Sequence, residues 1–321
     1  MDGDIKQKVE EIIALENDVR MHINTTRYQN DFIKDGDNWN QICCSLDTIG
    51  DTLYAVDDYV DSEYPEEIGL KYVFTYGLLQ ALFIQQDAIS HLSESFGIEY
   101  SHSDKLKEIR LLRSAAIGHP TKQDRGTSNG YTHYNYISRV TLSKGGFTLM
   151  QSYDQGKINS VDVELLLIIS DQLDEIKSAY NTIANKLKEV DKMHKEKYKD
   201  DLLVNIFHSS MGYNFQKIAQ AIHLPNSSNT DFGLSKLNII QETYDKFERA
   251  LKERGDLEED VQTDLDEYKH ALSKLEVYFN DGDSGMLKSD ANVYYYYVTE
   301  QHKYFEKIAK DIDDSYEDDQ S

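Results

Sequence analysis

Apolar residues return every three or four positions along most of this chain, and that rhythm predicts a succession of amphipathic helices. Ile5, Val9, Ile12, Ile13, Val19 and Ile23 carry it through a first helix over residues 4–34, stopped by Lys34, Asp35, Gly36 and Asp37. A second helix starts at Trp39, keeps the rhythm in Ile42, Leu46, Ile49, Leu53, Val56 and Val60, and is closed by Pro65. The third begins near Glu66. Its stripe of Tyr72, Tyr76, Leu79, Phe83, Ile89, Leu92 and Phe96 ends at Gly97, which suits a left-handed cap. A fourth, over residues 103–117, stops at Gly118, His119 and Pro120.

The period then changes. Over residues 134–142 the positions Tyr134, Tyr136, Val140 and Leu142 fall on one face of an extended segment, and a second extended segment follows at 147–153. Between them lie Ser143, Lys144, Gly145 and Gly146, so the segment reads as a two-stranded hairpin, 133–153, turned by the glycine pair. From Ser160 the helical rhythm resumes through Leu166, Ile169, Leu173, Ile176, Tyr180, Ile183, Leu187 and Val190, spaced like a heptad seam. It returns after a loop at 225–233 in Leu237, Ile240, Tyr244, Phe247 and Leu251, and again in Leu265, Tyr268, Leu272, Leu275 and Phe279. Tyr294, Tyr297, Gln301, Tyr304 and Ile308 close the series. Breaks at Gly255 and Asp256 and at 280–285 predict antiparallel helical hairpins, with a frayed acidic tail over 311–321.

The expected fold class is therefore mainly α: a helical bundle with one β-hairpin insertion, then a helical-hairpin region resembling a coiled coil. The expected division is an N-terminal helix (1–37), a bundle (38–199) and a C-terminal helical domain (200–321). Composition agrees, since 321 residues with only three Pro favour long uninterrupted elements. The chain opens on acidic residues and its densest apolar run is residues 165–169, so neither export nor membrane insertion is expected and a cytoplasmic location is. Cys43 and Cys44 are adjacent, which excludes a disulfide framework or a Cys-x-x-Cys clamp, and both read as small buried residues. No metal or cofactor is expected. His194, His208 and His223 lack companions at ligand spacing, and Gly145 and Gly146 belong to a turn rather than a phosphate loop.

Charge complicates any search for chemistry. A formal −24 repels nucleic acid, but residues 105–144 hold eight Lys or Arg against Glu108 and Asp124, a local +6. Inside that stretch lies the one site-like constellation, Leu112-Arg113-Ser114-Ala115-Ala116-Ile117-Gly118-His119-Pro120-Thr121. An Arg, a short spacer and a His at the end of a bundle helix resembles the HEPN superfamily, over roughly residues 38–195. The resemblance implies a metal-independent endoribonuclease acting as a toxin or antiviral defence effector. It assigns His119 to acid/base work at the 2'-hydroxyl or the leaving oxygen, Arg113 to the scissile phosphate, and Ser114 to the place where many members carry Asn or Asp. It also implies a homodimer, with an antitoxin or regulatory protein as a further partner. Thr121 stands where members silenced by adenylylation carry Tyr.

These residue types fit such chemistry, because imidazole exchanges protons near neutral pH and guanidinium holds a fixed charge beside phosphate. Lys105, Lys107, Arg110, Lys122, Arg125 and Arg139 are the expected RNA contacts, and Asp87 is a candidate to orient His119. The same residues admit a structural reading in which His119 satisfies terminal carbonyls and Arg113 pairs with a carboxylate on a neighbouring helix. Two non-catalytic functions also remain open: an acidic helical interaction or scaffold protein, and an inhibitor that imitates nucleic acid by its charge. Gln85, Gln86 and Asp87, which interrupt the third helix, are expected to hydrogen-bond within the bundle. The tyrosines at 294–297 read as core or interface residues before base-stacking ones.

Overall fold

Long helices dominate the computed structural model, which describes residues 2–32, 35–124, 130–225, 227–280 and 285–317. In chain order they are α1 (Asp2–Ile23), α2 (Thr26–Phe32), α3 (Gly36–Asp61), α4 (Ile68–Ser95) and α5 (Asp104–Arg113), the last running into a π-helical turn, Ser114–Gly118. Strands β1 (Tyr134–Ile137), β2 (Gly146–Tyr153) and β3 (Lys157–Glu164) follow, then α6 (Leu165–Tyr198) and a 3-10 turn, Leu203–Ile206. The chain closes with α7 (Met211–His223), α8 (Ser227–Arg254), α9 (Glu259–Asn280) and α10 (Lys288–Glu317). No helix among the described residues is long and apolar enough to cross a membrane.

Two units divide these elements: residues 1–24 with 32–188, and residues 25–31 with 189–321. The division thus falls at Lys188 and Glu189 rather than at 199/200, and the segment 1–37 is shared between units instead of standing alone. The single helix expected over 4–34 breaks at Asn24 and Thr25, where short polar side chains compete with the helical backbone.

In the first unit, α1, α3, α4 and the first part of α6 surround a core of Ile12, Ile42, Leu46, Ile49, Leu79, Leu173, Ile176 and Tyr180, all essentially inaccessible. The short link between α3 and α4 turns the chain back so that the two pack along their length. At the end of α4, Gly97 adopts φ +61°, the Ile98 N–H donates to Ser93 O at 2.9 Å, and the helix is closed by a left-handed cap. Gln86 donates to Gln172 at 2.8 Å, and Gln172 in turn donates to Gln85 at 2.8 Å and to the Leu82 carbonyl at 2.9 Å, an amide relay sealed between α4 and α6. Cys43 is only half-buried and Cys44 is exposed, which corrects the expectation that both lie in the core.

The β structure differs from the expected hairpin. It is a three-stranded antiparallel sheet in the order β1-β2-β3. The strand that the sequence pattern did not reveal, β3, has only Val163 buried, so its alternation carries no signal beyond one residue. The first strand stops at Ile137 rather than 142, and its buried positions are Asn135 and Ile137 while Tyr134 and Tyr136 face outward. A polar network inverts the expected face: Asn135 donates to Gln123 and accepts from Gln151, both at 3.1 Å. Gly146 lies so close to β3 that a Cβ there would sit 1.9 Å from the Val163 carbonyl oxygen. Leu165, rather than Leu166, takes the first core position of α6.

In the second unit α8 packs against α7 and α9, and α10 closes on both α9 and α7. Its core is aromatic, with Phe207, Tyr244, Phe247, Tyr268 and Phe305 in mutual edge and tilted contacts and the Tyr244 and Tyr268 centroids 4.0 Å apart. The buried stripe of α10 is Ala291, Val298, His302, Phe305 and Ala309, set one position from the expected Tyr297, Gln301, Tyr304 and Ile308. The α7–α8 link is shorter than expected, because α8 already begins at Ser227. Most of the expected break over 280–285 (281–284) and the end of the expected frayed tail (318–321) lie outside the described residues, while the first part of that tail, 311–317, continues α10 as helix.

Candidate functional site

The segment that carries the expected chemistry sits where α5 stops. Ser103 starts that helix, its hydroxyl accepting from the Leu106 N–H at 3.3 Å. At the far end of α5 the ladder slips by one residue: the His119 N–H donates to the Ser114 carbonyl at 2.7 Å, spanning five residues instead of four. Such a slip widens the helix and re-aims the residues beyond it, and it recurs at functional sites. Ala115 and Ala116 pack the turn into the core, and His119 emerges exposed at its end.

Arg113 folds back over that turn. One Nη lies 3.1 Å from the place a Cβ would occupy on Gly118, so the absence of a side chain there lets the guanidinium lie beside the residue preceding His119. Its other nitrogens are held by a neutral amide, Nη2 and Nε donating to Gln80 Oε1 at 2.6 and 3.2 Å. The Phe83 ring supports it, with Cζ 4.5 Å from the centroid. No carboxylate among the described residues pairs with Arg113, which removes the structural reading that gave it an acidic partner. The His119 imidazole likewise has no hydrogen-bond partner among the described residues.

Arg110 lies one turn earlier and also stacks on Phe83, at 4.1 Å, but it is neutralised: Nη1 donates to Asp87 Oδ1 at 2.7 Å. Asp87 therefore orients Arg110, and the orienting role expected of it toward His119 is corrected. His102 lies 3.4 Å from Arg110, and burial together with that positive charge lowers its pKa.

The expected basic island is largely paired off. Lys105 bridges to Asp171 at 2.7 Å, Lys107 to Asp104 at 3.2 Å and Lys122 to Asp124 at 3.2 Å. Lys144 donates to the carbonyls of Val60 and Ser62 at 2.6 and 2.8 Å, satisfying oxygens at the end of α3. Arg125 lies outside the described residues. Lys144, Arg113 and Arg139 are then the cations of this region without an acidic partner among the described residues, and of these Lys144 is engaged by backbone oxygens.

Arg139 lines a cleft of 370 Å³ whose walls also include Tyr72, Tyr76, Ala116, Pro120 and Tyr136. Backbone pairing joins its sides, because the Asn135 N–H donates to the Pro120 carbonyl at 2.6 Å and Gln123 and His133 exchange both backbone bonds, at 2.8 and 3.0 Å. The loop after His119 is thereby tied to the sheet. Residues that the sequence pattern did not single out do this positioning: Gln80, Gln123 and Asn135. For Gln80 a signal existed, since Tyr72, Tyr76, Gln80, Phe83 and Asp87 succeed one another at helical spacing on a single face of α4. Among the described residues no group of three or more His, Cys, Asp or Glu is placed to hold a metal ion.

Comparison of the chain with protein-family models, with curated proteins and with solved structures gives no match.

Proposed function

We propose that the first unit is a metal-independent endoribonuclease of the HEPN type, with His119 as acid/base and Arg113 on the scissile phosphate. The observation that carries this reading is the Arg113 guanidinium, held at the His119 turn by a neutral amide and an aromatic ring that leave its charge uncancelled. A cation kept only for packing gains most from a carboxylate partner, whereas one kept for phosphate must remain available. In the reaction the 2'-oxygen bonds to phosphorus and the bond to the 5'-oxygen breaks, leaving a cyclic phosphate and a 5'-hydroxyl. The 2'-hydroxyl gives up its proton to a base while the departing oxygen takes one from an acid. His119 serves one transfer and Arg113 meets the charge gathering on the phosphoryl oxygens. A second copy of the chain brings its own histidine for the other transfer. The exposed apolar residues Leu70, Val73 and Ile84 of α4, with Leu111 of α5, form the surface this reading assigns to that copy. A toxin or antiviral role, with a restraining protein partner, extends the same reading by analogy.

The test is purified protein incubated with total RNA in excess chelator. Fragments ending in cyclic phosphate are expected from the native chain, and none from His119→Ala or Arg113→Ala. Intact RNA in the presence of folded native protein would refute the assignment and leave an interaction role for the bundle.

A further inference from the structure

The cleft beside His119 has a composition that cleavage alone does not require. Tyr76 and Tyr136 leave 41% and 56% of their surface open, whereas Tyr180, Tyr244 and Tyr268 elsewhere in the chain are wholly buried. Tyr72 and Tyr76 are tilted with centroids 5.5 Å apart, and the Tyr72 hydroxyl is fixed on the Ile137 carbonyl at 3.4 Å, so one wall is set before any ligand arrives. Strand β1 supplies Tyr136, and the turn that follows it supplies the exposed Arg139. Ala116 and Pro120, on either side of the emerging His119, complete the lining, which places the concavity within a residue of the imidazole along the chain.

We infer that this cleft receives one unpaired base of the RNA strand next to the bond being cut, stacked between Tyr76 and Tyr136 with Arg139 on the adjoining phosphate. The inference rests on the ribonuclease reading for the location of that bond. Aromatic faces bind bases of any sequence, an Arg without an acidic partner supplies the matching charge for phosphate, and 370 Å³ lies near the lower end of the range of roughly 300–1,000 Å³ for small-ligand sites. A base locked in a duplex cannot enter such a concavity, so the cleft selects single-stranded RNA over paired RNA.

Binding is measured by fluorescence anisotropy of a 5'-labelled mixed-sequence octanucleotide, in a His119→Ala background so that no probe is cut. Tyr76→Ala and Tyr136→Ala should each weaken binding roughly ten-fold. Tyr136→Phe, which keeps the stacking face, should stay within about two-fold, as should Tyr134→Ala, whose ring lies on the same strand outside the cleft. The same octamer annealed to its complement should bind more weakly than the single strand. Equal binding by the two Ala variants, equal loss with Tyr134→Ala, preference for the duplex, or no RNA binding at all would each overturn the inference. Tyrosine-dependent binding by a native chain that cuts nothing would sink the nuclease assignment and leave the base site standing. Cutting and binding that ignore both tyrosines would do the reverse.

Discussion

Exchanging Gln80 for Glu changes one neutral acceptor into a charged one and separates a functional guanidinium from a structural one. The acceptor oxygen is 2.6 Å from one Arg113 nitrogen and 3.2 Å from another, so a carboxylate there would hold the cation tightly. Two unit charges about 4 Å apart attract by about 4 kcal/mol at an effective dielectric of 20. Arg113 is only part-buried, and solvent screening reduces the net effect to roughly 1–2 kcal/mol. If Arg113 is there for packing, that energy appears as stability: the melting temperature rises or holds, and nothing else changes. If it is there for phosphate, the same energy must be overcome each time RNA binds, and kcat/KM on a fluorogenic single-stranded substrate falls roughly 5- to 30-fold. The salt dependence of RNA binding should flatten by about one phosphate contact. Gln80→Leu provides the contrast, because it frees the guanidinium without neutralising it, and lost positioning rather than lost charge then sets a decrease of about ten-fold. A Gln80→Glu protein that cleaves RNA at the native rate would refute the phosphate assignment of Arg113.

Three other perturbations test the frame around the site and the second unit. Gly146→Ala forces a Cβ to within 1.9 Å of the Val163 carbonyl oxygen, and the strands must part; a loss of about 2 kcal/mol or more in urea unfolding is expected, and native stability would contradict the packing described. Asp313 accepts from the Leu203 and Val204 N–H groups, both at 2.9 Å, and lies 3.7 Å from buried Arg254, whose other carboxylate partner is Asp201 at 3.4 Å; Asp313→Ala leaves the two N–H groups without their acceptor and should cost roughly 1–3 kcal/mol, read by near-ultraviolet circular dichroism during denaturation. His302, buried against Tyr244 at 2.7 Å, has its pKa lowered from 6.5 by burial, against a smaller opposing pull from Glu306. Below pH 6.5 the unfolded chain binds a proton that the folded unit refuses, so this contribution is fully present above 6.5 and is lost as pH falls through the folded value. A histidine resonance titrating at or above 6.5 would rule this out.

Helical positions were legible wherever burial was one-sided. Ile42, Leu46, Ile49 and Leu53 lie where their spacing put them, and so do Leu237, Ile240, Tyr244, Phe247 and Leu251. Legibility failed where polarity and burial part company. Asn135 is buried because Gln123 and Gln151 satisfy it, so the alternation in β1 pointed to the wrong face, and β3 carries almost no buried residue from which a pattern could be taken. On α10 the tyrosines are large enough to touch the core from its edge, and their size masked the true stripe through Ala291, Phe305 and Ala309. At the site, the position of His119 at a helix end was legible from Gly118 and Pro120. Partner choice was not, because whether Asp87 meets Arg110 or His119 depends on where α5 crosses α4, and no local pattern encodes that crossing.

The π-helical turn at the end of α5 has an arithmetic of its own. Each residue of an α-helix advances the chain by about 100° around the axis, so one surplus residue is a rotation rather than a mere lengthening. An in-frame loss of a single codon between Ser114 and Gly118 would restore the ordinary ladder and turn His119 by about 100° around the axis relative to Arg113. A gain of one codon in an unslipped helix would do the opposite, so the direction in which His119 leaves the helix is set by the number of residues in the turn and not by any single side chain.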